Sequence, residues 1–371
     1  MTSYRSVIRI AVLFAVSLAG QWACATEPQC SRQDFQNCLN GVGTSVTNGG
    51  GLRVAGAEFD DVARERSGRS AEKGTASLFS PARTLAAGDD VAGGVFALWG
   101  SYSFSDFDSD FAFQGTSLAF DADAHNVLAG FDRLFADRFL LGLAFGYQWV
   151  DAETDFNGGG QENDGFIVAP YAAVLLNDTF SVDLMGGYSP LEYDQDRISP
   201  ADATDISARF DADRWFVAAN VNAFMSLGNW VLSAKIGYLH TEEKQDAYTE
   251  TGSALSAAGV GGASLRSVAK RNIDLTQIIA GAEVGYSFGA FEPYAMVAFH
   301  EELDRDDDES AGGLPGNFTS VQPDDDDEVQ FGGGIRYYTE WGLSTTLEYS
   351  RVEGRKNFDS QTVMFILRAS L

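Results

Sequence analysis

The residues best suited to acid–base chemistry are three histidines, His125, His240 and His300. His300 is followed directly by Glu301 and Glu302, and a histidine held by a carboxylate can act as the general base of a hydrolase. Such a base also needs a nucleophile within hydrogen-bond distance. No serine-protease constellation and no GDSL-type lipase motif supplies one. We therefore expect no catalytic residues, and a hydrolase centred on His300 is the least favoured interpretation.

Two acidic runs, RDDDE (305–309) and DDDDE (324–328), indicate a second possible chemistry, cation binding. Carboxylate oxygens are the ligands that Ca²⁺ and Mg²⁺ prefer, but neither run has the spacing of an EF-hand loop. A solvated, self-repelling loop is the simpler interpretation, so no cofactor is expected and a Ca²⁺ or Mg²⁺ site is the alternative. The aspartates concerned are Asp306, Asp307, Asp308, Asp324, Asp325, Asp326 and Asp327.

The N-terminus has the features of an export signal. Arg5 and Arg9 precede an apolar run of about 11 residues, and small residues precede a cleavage site after Ala25. Export would place Cys30 and Cys38 in an oxidising compartment, where an even pair is expected to form a disulfide, although two free thiols are an alternative. Beyond the signal, no apolar run reaches the roughly 18 residues of a transmembrane helix.

Residues 26–92 differ from the rest of the chain. They contain a flexible GVGTSVTNGGG linker and a densely charged stretch without an apolar face, so we expect them to be disordered or partly helical. The whole chain carries 25 basic against 53 acidic side chains, a formal net charge of −28. This balance argues against a nucleic-acid partner, because phosphates require a basic surface.

The stretch RFLLGLAFGYQWVDAET, residues 138–154, shows what kind of element follows. Every second residue from Leu141 to Trp149 is large and apolar, whereas the residues between are mostly glycine or alanine. A period of two indicates a β-strand. A strand of a soluble sandwich would carry charged residues on its second face, so the large face is expected to meet lipid and the small face a crowded interior.

This pattern recurs from about residue 93 to the end of the chain. Short connections alternate with long polar ones, as in a transmembrane β-barrel, which has tight periplasmic turns and long outer loops. We therefore predict an all-β fold, a twelve-stranded antiparallel transmembrane barrel in residues 93–371. Its strands are predicted at Val95–Phe107, His125–Phe135, Arg138–Glu153, Gly165–Leu176, Thr179–Tyr193, Asp211–Leu227, Trp230–Gln245, Asn272–Phe288, Phe291–Asp304, Val329–Tyr338, Trp341–Val352 and Ser360–Leu371.

The segments ALWGSYSFSDFDSDF, AHNVLAGFDRLF, FLLGLAFGY, YAAVLLNDTFSVDLMGGY and FEPYAMVAF occur in this order and close on an alternating C-terminal strand. In order and spacing they resemble the C-terminal β-domain of the classical autotransporters, the type V secretion family. The resemblance implies a Gram-negative outer-membrane barrel with lipopolysaccharide around it, assembled as a monomer by periplasmic chaperones and the barrel-assembly machinery. It also implies an N-terminal segment that threads the lumen. Two departures are an upstream segment of only about 70 residues and a terminal Leu371 in place of Phe or Trp.

The side chains on the small face of each strand should line the lumen. Most of them are expected to form a hydrated, salt-bridged interior, and a cation-preferring pore lined by carboxylates is the alternative. The polar candidates are Asp132, Asp183, Lys235, Glu283, Arg336, Glu348 and Arg368.

These features favour a membrane anchor, translocation pore or porin-like channel over two other classes of function. The first is a surface adhesin or ligand-binding protein that uses the long acidic loops, and the second is the rim hydrolase. The predicted organisation is a signal peptide (1–25), a short passenger-like segment that could thread the lumen (26–92) and the barrel (93–371).

Overall fold

The protein forms a closed β-barrel of twelve strands, each hydrogen-bonded to two antiparallel neighbours. This computed structural model describes residues 96–110, 112–113, 116–117, 119–136, 138–154, 158–177, 179–199, 201–259, 265–309, 327–339, 341–354 and 358–371. The predicted fold class is confirmed. None of the helices in these described ranges is long and apolar enough to cross a membrane.

Every predicted strand is present in the barrel. The barrel strands are β1 (Phe96–Ser109), β4 (Phe120–Phe135), β5 (Phe139–Thr154), β6 (Gly159–Leu175), β7 (Phe180–Ile198), β8 (Asp205–Leu227), β9 (Trp230–Gln245), β12 (Arg271–Tyr286), β13 (Phe291–Glu309), β14 (Asp327–Tyr338), β15 (Leu343–Glu353) and β16 (Phe358–Ser370). Outside the barrel, β2 (Ala112–Phe113) pairs with β3 (Thr116–Ser117), and β10 (Tyr248–Thr249) pairs with β11 (Ser267–Val268). One short helix, α1, spans Ala254–Ala257.

The barrel closes where the first strand meets the last. Strand β1 pairs along its length with β4 on one side and with β16 on the other, and the β1–β16 register runs from Ala97 opposite Ser370 to Ser109 opposite Phe358. Closure leaves no sheet edge, so the backbone groups of every strand pair within the barrel, as a bilayer requires.

Alternate residues of each strand face opposite sides of the barrel wall. On β5, Leu141 and Phe145 are 54% and 49% exposed, whereas Ala144 and Gln148 are 0% and 1% exposed. The exposed members form an apolar belt around the outside, and the buried members line the interior. The large apolar residues of 138–154 therefore lie on the outside of the barrel, where such a belt contacts lipid.

The two ends of the barrel differ. Tight connections join β4 to β5, β6 to β7, β8 to β9, β12 to β13 and β14 to β15 at one end. In the β8–β9 connection, Gly228 has a φ of +65°, a conformation that a two-residue hairpin turn requires and glycine adopts without strain. Exposed aromatics surround this end as a girdle: Phe135, Phe180, Trp230, Phe288, Phe291 and Trp341.

At the other end, the strands continue well beyond the apolar belt. A tilted strand crosses a bilayer in about 9–11 residues, but β8 has 23. A second girdle marks the boundary, where Tyr147 donates a 2.6 Å hydrogen bond to Asp164 on the next strand and Trp215 donates one to Glu242. Beyond it, the outward face is mostly acidic, with Asp121, Asp123, Asp151, Glu153, Glu162, Glu192, Asp194, Asp196, Asp205 and Asp211.

Candidate functional site: the barrel lumen

The inward-facing side chains form the lumen, and the seven polar residues expected there all lie on this face. Five are buried (Asp132, Asp183, Arg336, Glu348 and Arg368), and Lys235 and Glu283 are partly exposed. Six of the seven form hydrogen bonds with other lumenal side chains, and these bonds fall into three separate clusters.

The first cluster joins strands on both sides of the barrel seam. Arg368 on β16 binds both carboxylate oxygens of Asp132 on β4, at 2.8 Å each. The Tyr171 hydroxyl donates to Asp132 at 3.2 Å, and the Trp99 indole donates to that hydroxyl at 2.6 Å. Because β1 lies between β4 and β16, this bidentate pair spans the closing strand and helps to fix the register at the seam.

The second cluster surrounds one guanidinium group. Arg336 donates to both oxygens of Glu283, at 3.0 and 2.8 Å, and to Glu292 at 3.3 Å. Its charged carbon lies 3.6 Å from the centre of the Tyr294 ring, a cation–π contact. The Tyr294 hydroxyl in turn donates to Glu348 at 2.7 Å. Three carboxylates and one arginine thus share one sector of the wall, formed by β12 to β15.

The third cluster contains Asp183 and two amides. Asn220 and Asn222 on β8 each donate a 2.6 Å hydrogen bond to a different carboxylate oxygen of Asp183 on β7. Lys235 lies next to them, because it is paired in register with Asn222 across β8 and β9. The carboxylate is therefore held by neutral donors in addition to the nearby ammonium.

Sequence reasoning missed a fourth lumenal cluster, which is the most deeply buried. Arg214 and Glu243 are 1% and 0% exposed, and two guanidinium nitrogens donate to one Glu243 oxygen at 2.8 and 2.6 Å. Tyr193 and Gln245 both donate to the other oxygen at 2.8 Å. The alternation that predicted β8 and β9 also places Arg214 and Glu243 inward, so this signal was available.

The lumen also carries apolar side chains. A continuous apolar surface lines the wall along β16, β1 and β4 to β9, whereas the Arg336 cluster occupies β12 to β15. Charged and apolar side chains therefore share the inner wall, since the Asp132, Asp183 and Arg214 contacts lie on the same strands as this apolar surface. The apolar surface consists of Trp99, Leu128, Leu140, Ala144, Ile167, Ala169, Tyr171, Met185, Phe216, Ala218, Leu239, Met364 and Ile366.

Aromatic side chains from neighbouring strands lie over two glycines on the inner faces of β4 and β5. A Cβ atom added to Gly142 would lie 2.1 Å from the Tyr171 ring, which occupies the space above the glycine. Gly130 makes room for the Trp99 ring on β1 in the same way, with a closest approach of 2.5 Å. These glycines leave room for the two aromatic side chains, so that Trp99 can donate to the Tyr171 hydroxyl and Tyr171 to Asp132.

Comparison with known proteins identifies the barrel. The model of the autotransporter β-domain family matches residues 97–350, more than half of the chain. The chain belongs to this family. No curated protein matches it. This autotransporter β-domain is therefore an outer-membrane barrel that acts as a membrane anchor and translocation pore, as expected from the resemblance of its segments to this family.

Three solved structures share the fold of this autotransporter β-domain. The translocator domain of NalP from Neisseria meningitidis is 13% identical with a TM-score of 0.61, over 76% of this chain and 90% of that one. The β-domain of the Bordetella autotransporter BrkA is 15% identical with a TM-score of 0.55, over 75% and 100%. The transport unit of AIDA-I from Escherichia coli is 11% identical with a TM-score of 0.52, over 82% and 97%. At these identities the likeness concerns the fold alone.

The three histidines lie in different surroundings, towards the end of the autotransporter barrel that carries the long connections. His125 and His240 are on the outward face, against Trp149 (ring centres 4.8 Å apart) and Trp215 (5.1 Å) respectively. His300 faces the lumen, where its Nδ1 is 3.6 Å from a Glu328 oxygen. Successive residues of a strand face opposite sides, so Glu302 shares the lumenal face with His300 and Glu301 faces outward.

The remaining predicted sites fall largely outside the described residues. Cys30 and Cys38 lie there, as do Asp324–Asp326 and the side chains of Asp306–Asp308. Asp327 is described and is exposed at the start of β14. Within the described part of the chain, no group of three or more potential ligands could hold a metal ion.

Proposed function

We propose that this autotransporter barrel anchors residues 26–92 of its own chain to the outer membrane, and that residues 55–92 occupy its lumen. The proposal depends on one observation: the first residue of the closed barrel lies at the end that carries the tight turns. Strand β1 begins at Phe96, whose carbonyl accepts a 2.7 Å hydrogen bond from Leu371 at the end with the tight turns. A chain that continues upstream from Phe96 therefore starts at that mouth of the lumen.

The charges of the lumen support this occupant. The sector around Arg336 carries three carboxylates and one guanidinium among the described residues. Residues 58–73 contain Arg64, Arg66, Arg69 and Lys73 but too few apolar side chains for a stable helix in water. Ion pairs are stronger where water is excluded, so the lumen favours partial helix in a segment that is not helical in solution.

We also propose how the protein reaches the outer membrane and which way its turns face. A leader of residues 1–25 is removed after Ala25, and the tight turns face the periplasm while the long connections face the exterior. The barrel inserts as a monomer among lipopolysaccharide and phospholipid, with chaperones and the barrel-assembly machinery as transient partners. It needs no cofactor and carries out no catalysis. No observation in the described residues favours a surface adhesin or a rim hydrolase over this function.

A deletion experiment tests the lumenal segment. Removing residues 55–90 should increase conductance in planar bilayers, because the segment no longer obstructs the pore. Removing the linker at 41–51 is the control and should leave conductance unchanged. A spin label at Ser67 gives a second, independent readout and should show restricted motion in the folded barrel. Free motion of the label together with unchanged conductance after deletion of 55–90 would show that the segment lies outside the lumen.

A further inference from the structure

A row of neutral polar side chains crosses the inner wall on three adjacent strands. Ser103 of β1 is paired in register with Asn126 of β4, and Asn126 is paired in turn with Gln148 of β5. Ser101 precedes Ser103 on the inner face of β1. Opposed side chains on neighbouring strands have their Cβ atoms about 4.5–5.5 Å apart, so these four residues form one continuous patch, which we call the amide row.

The amide row is buried, and most of its polar atoms have no hydrogen-bond partner. Ser103, Asn126 and Gln148 are each 1% exposed, and Ser101 is 6% exposed. Among the described residues, nothing bonds to either amide atom of Asn126, to either serine hydroxyl or to the amide nitrogen of Gln148. The Gln148 oxygen does accept a hydrogen bond, from Arg214 at 3.4 Å. Buried polar groups in folded proteins are nearly always hydrogen-bonded, so four adjacent side chains with unused bonding capacity indicate a ligand.

The chemistry of the amide row limits what this ligand can be. The row contains hydroxyls and amides but no charged side chain, so it suits a neutral group with both donors and acceptors. A peptide unit is such a group, because the Asn126 amide can accept from a backbone N–H and donate to a backbone C=O at the same time. The peptide has to be extended, since the backbone groups of a helix already bond to each other.

The chain upstream of β1 supplies such a peptide at the correct height. Ser103 lies seven residues beyond Phe96, which is about 24 Å along the strand. An extended chain that runs back into the lumen from Phe96 covers this distance in seven or eight residues, which brings residues 86–89 (AAGD) level with the row. Six of the eleven residues 84–94 are glycine or alanine, so little side-chain bulk keeps this backbone from the wall.

We propose that the amide row binds the backbone of residues 86–89 in extended conformation, with Asn126 as its central contact. The interaction recognises main-chain groups and therefore fixes the position of the segment without depending on its side chains. It places the end of the segment that is nearest to β1 against the wall formed by β1, β4 and β5. The inference rests on the proposed occupation of the lumen by residues 55–92 and adds where and how that segment is held.

Disulfide cross-linking tests the position of the segment. Cysteines are placed one at a time at residues 86–89, in a chain whose Cys24, Cys30 and Cys38 are serine, together with Ser103→Cys. Ile279→Cys is the matched control, because Ile279 is also on an inner face seven residues from the tight-turn end of its strand, but on β12 across the barrel. For at least one of the four positions, mild oxidation should cross-link to Ser103→Cys at least about tenfold faster than to Ile279→Cys.

A substitution in the amide row tests the hydrogen bonds themselves. Asn126→Leu keeps the size of the side chain and removes both polar atoms. In the full chain it should lower the folding equilibrium constant by about tenfold, because it leaves a peptide group unpaired. In the chain that lacks residues 55–90 the same substitution should be neutral or stabilising, since it then removes only a buried unpaired amide. Gln161→Leu is the control, because Gln161 is a 3% exposed inward amide nearer the outer mouth, and its effect should be the same in both chains.

The outcomes separate this inference from the proposed function. Equal cross-linking to Ser103→Cys and Ile279→Cys would show a segment that lies in the lumen but does not bind the amide row. An equal effect of Asn126→Leu in the full and shortened chains would show that the row binds water only. Either result would overturn the inference and leave lumenal occupation intact. No cross-link to either wall, together with free motion of the Ser67 label, would overturn both.

Discussion

An arginine on the lipid-facing side of β9 should strongly oppose insertion of the barrel. Ala234 is exposed on the outward face and lies midway between Trp230 of the first girdle and Tyr238. Its neighbours in register, Ala223 and Ala282, are also apolar and leave an arginine no partner on that face. Arginine at the midplane of a barrel's lipid face costs about 2–4 kcal/mol. Ala234→Arg should therefore lower the folding equilibrium constant by about thirty- to a thousandfold.

The adjacent residue provides a matched control on the opposite face. Ser233 faces the lumen and is paired in register with Glu283, so Ser233→Arg places a guanidinium within reach of a carboxylate. Both variants can be measured by reversible urea titration in lipid vesicles, with tryptophan fluorescence and the heat-dependent gel shift as readouts. We expect Ala234→Arg to be far less stable than Ser233→Arg. Equal stability of the two variants would refute the assignment of the inner and outer faces.

Three further predictions concern the inner wall, the acidic exterior and the N-terminal cysteines. Gly142→Ala should destabilise the barrel by about 1–3 kcal/mol in the same titration, because its Cβ displaces a lumenal tyrosine ring; no loss would show that the ring moves freely. Partial burial and nearby carboxylates raise the pKa of Asp196 above its ordinary value of 3.8, so ionisation is unfavourable in the fold and stability falls as pH rises through the folded pKa. Asp196→Asn should accordingly be more stable than the native protein at neutral pH, with the difference vanishing below pH 3.8 in unfolding titrations. Cys30 and Cys38 should resist alkylation in exported protein until reductant is added, and immediate alkylation would disprove their disulfide.

The fold could be predicted from sequence because strand side chains alternate between two faces and the bilayer requires one of those faces to be apolar. Strand β9 begins and ends at its predicted residues, Trp230 and Gln245. The prediction stopped too early at Tyr193 in β7, which continues to Ile198. Beyond the membrane the outward face becomes acidic, so the apolar alternation ends while strand pairing continues.

The lumen could be predicted only in part. Alternation placed residues such as Asp132 and Arg368 on the inner face but gave no indication that they bind each other, since they are 236 positions apart. Their contact depends on the register in which β1 closes against β16, and the sequence pattern does not specify that register. The stretch from Asp246 to Arg271 was predicted as one long polar connection, whereas β10 and β11 pair within it and Tyr248 and Glu250 are buried. An alternation this short gives no clear strand signal in the sequence.

The topology of the barrel is the central claim, and cysteine labelling at the two ends of β8 tests it most directly. Asp205 begins this strand on the long-connection side, and Asn229 lies in the tight turn that follows it; both residues are exposed. On intact cells, an impermeant maleimide should label Asp205→Cys and should label Asn229→Cys only after the outer membrane is permeabilised. Labelling of both positions on intact cells, or of Asn229→Cys alone, would contradict an outer-membrane barrel with its long connections at the cell surface.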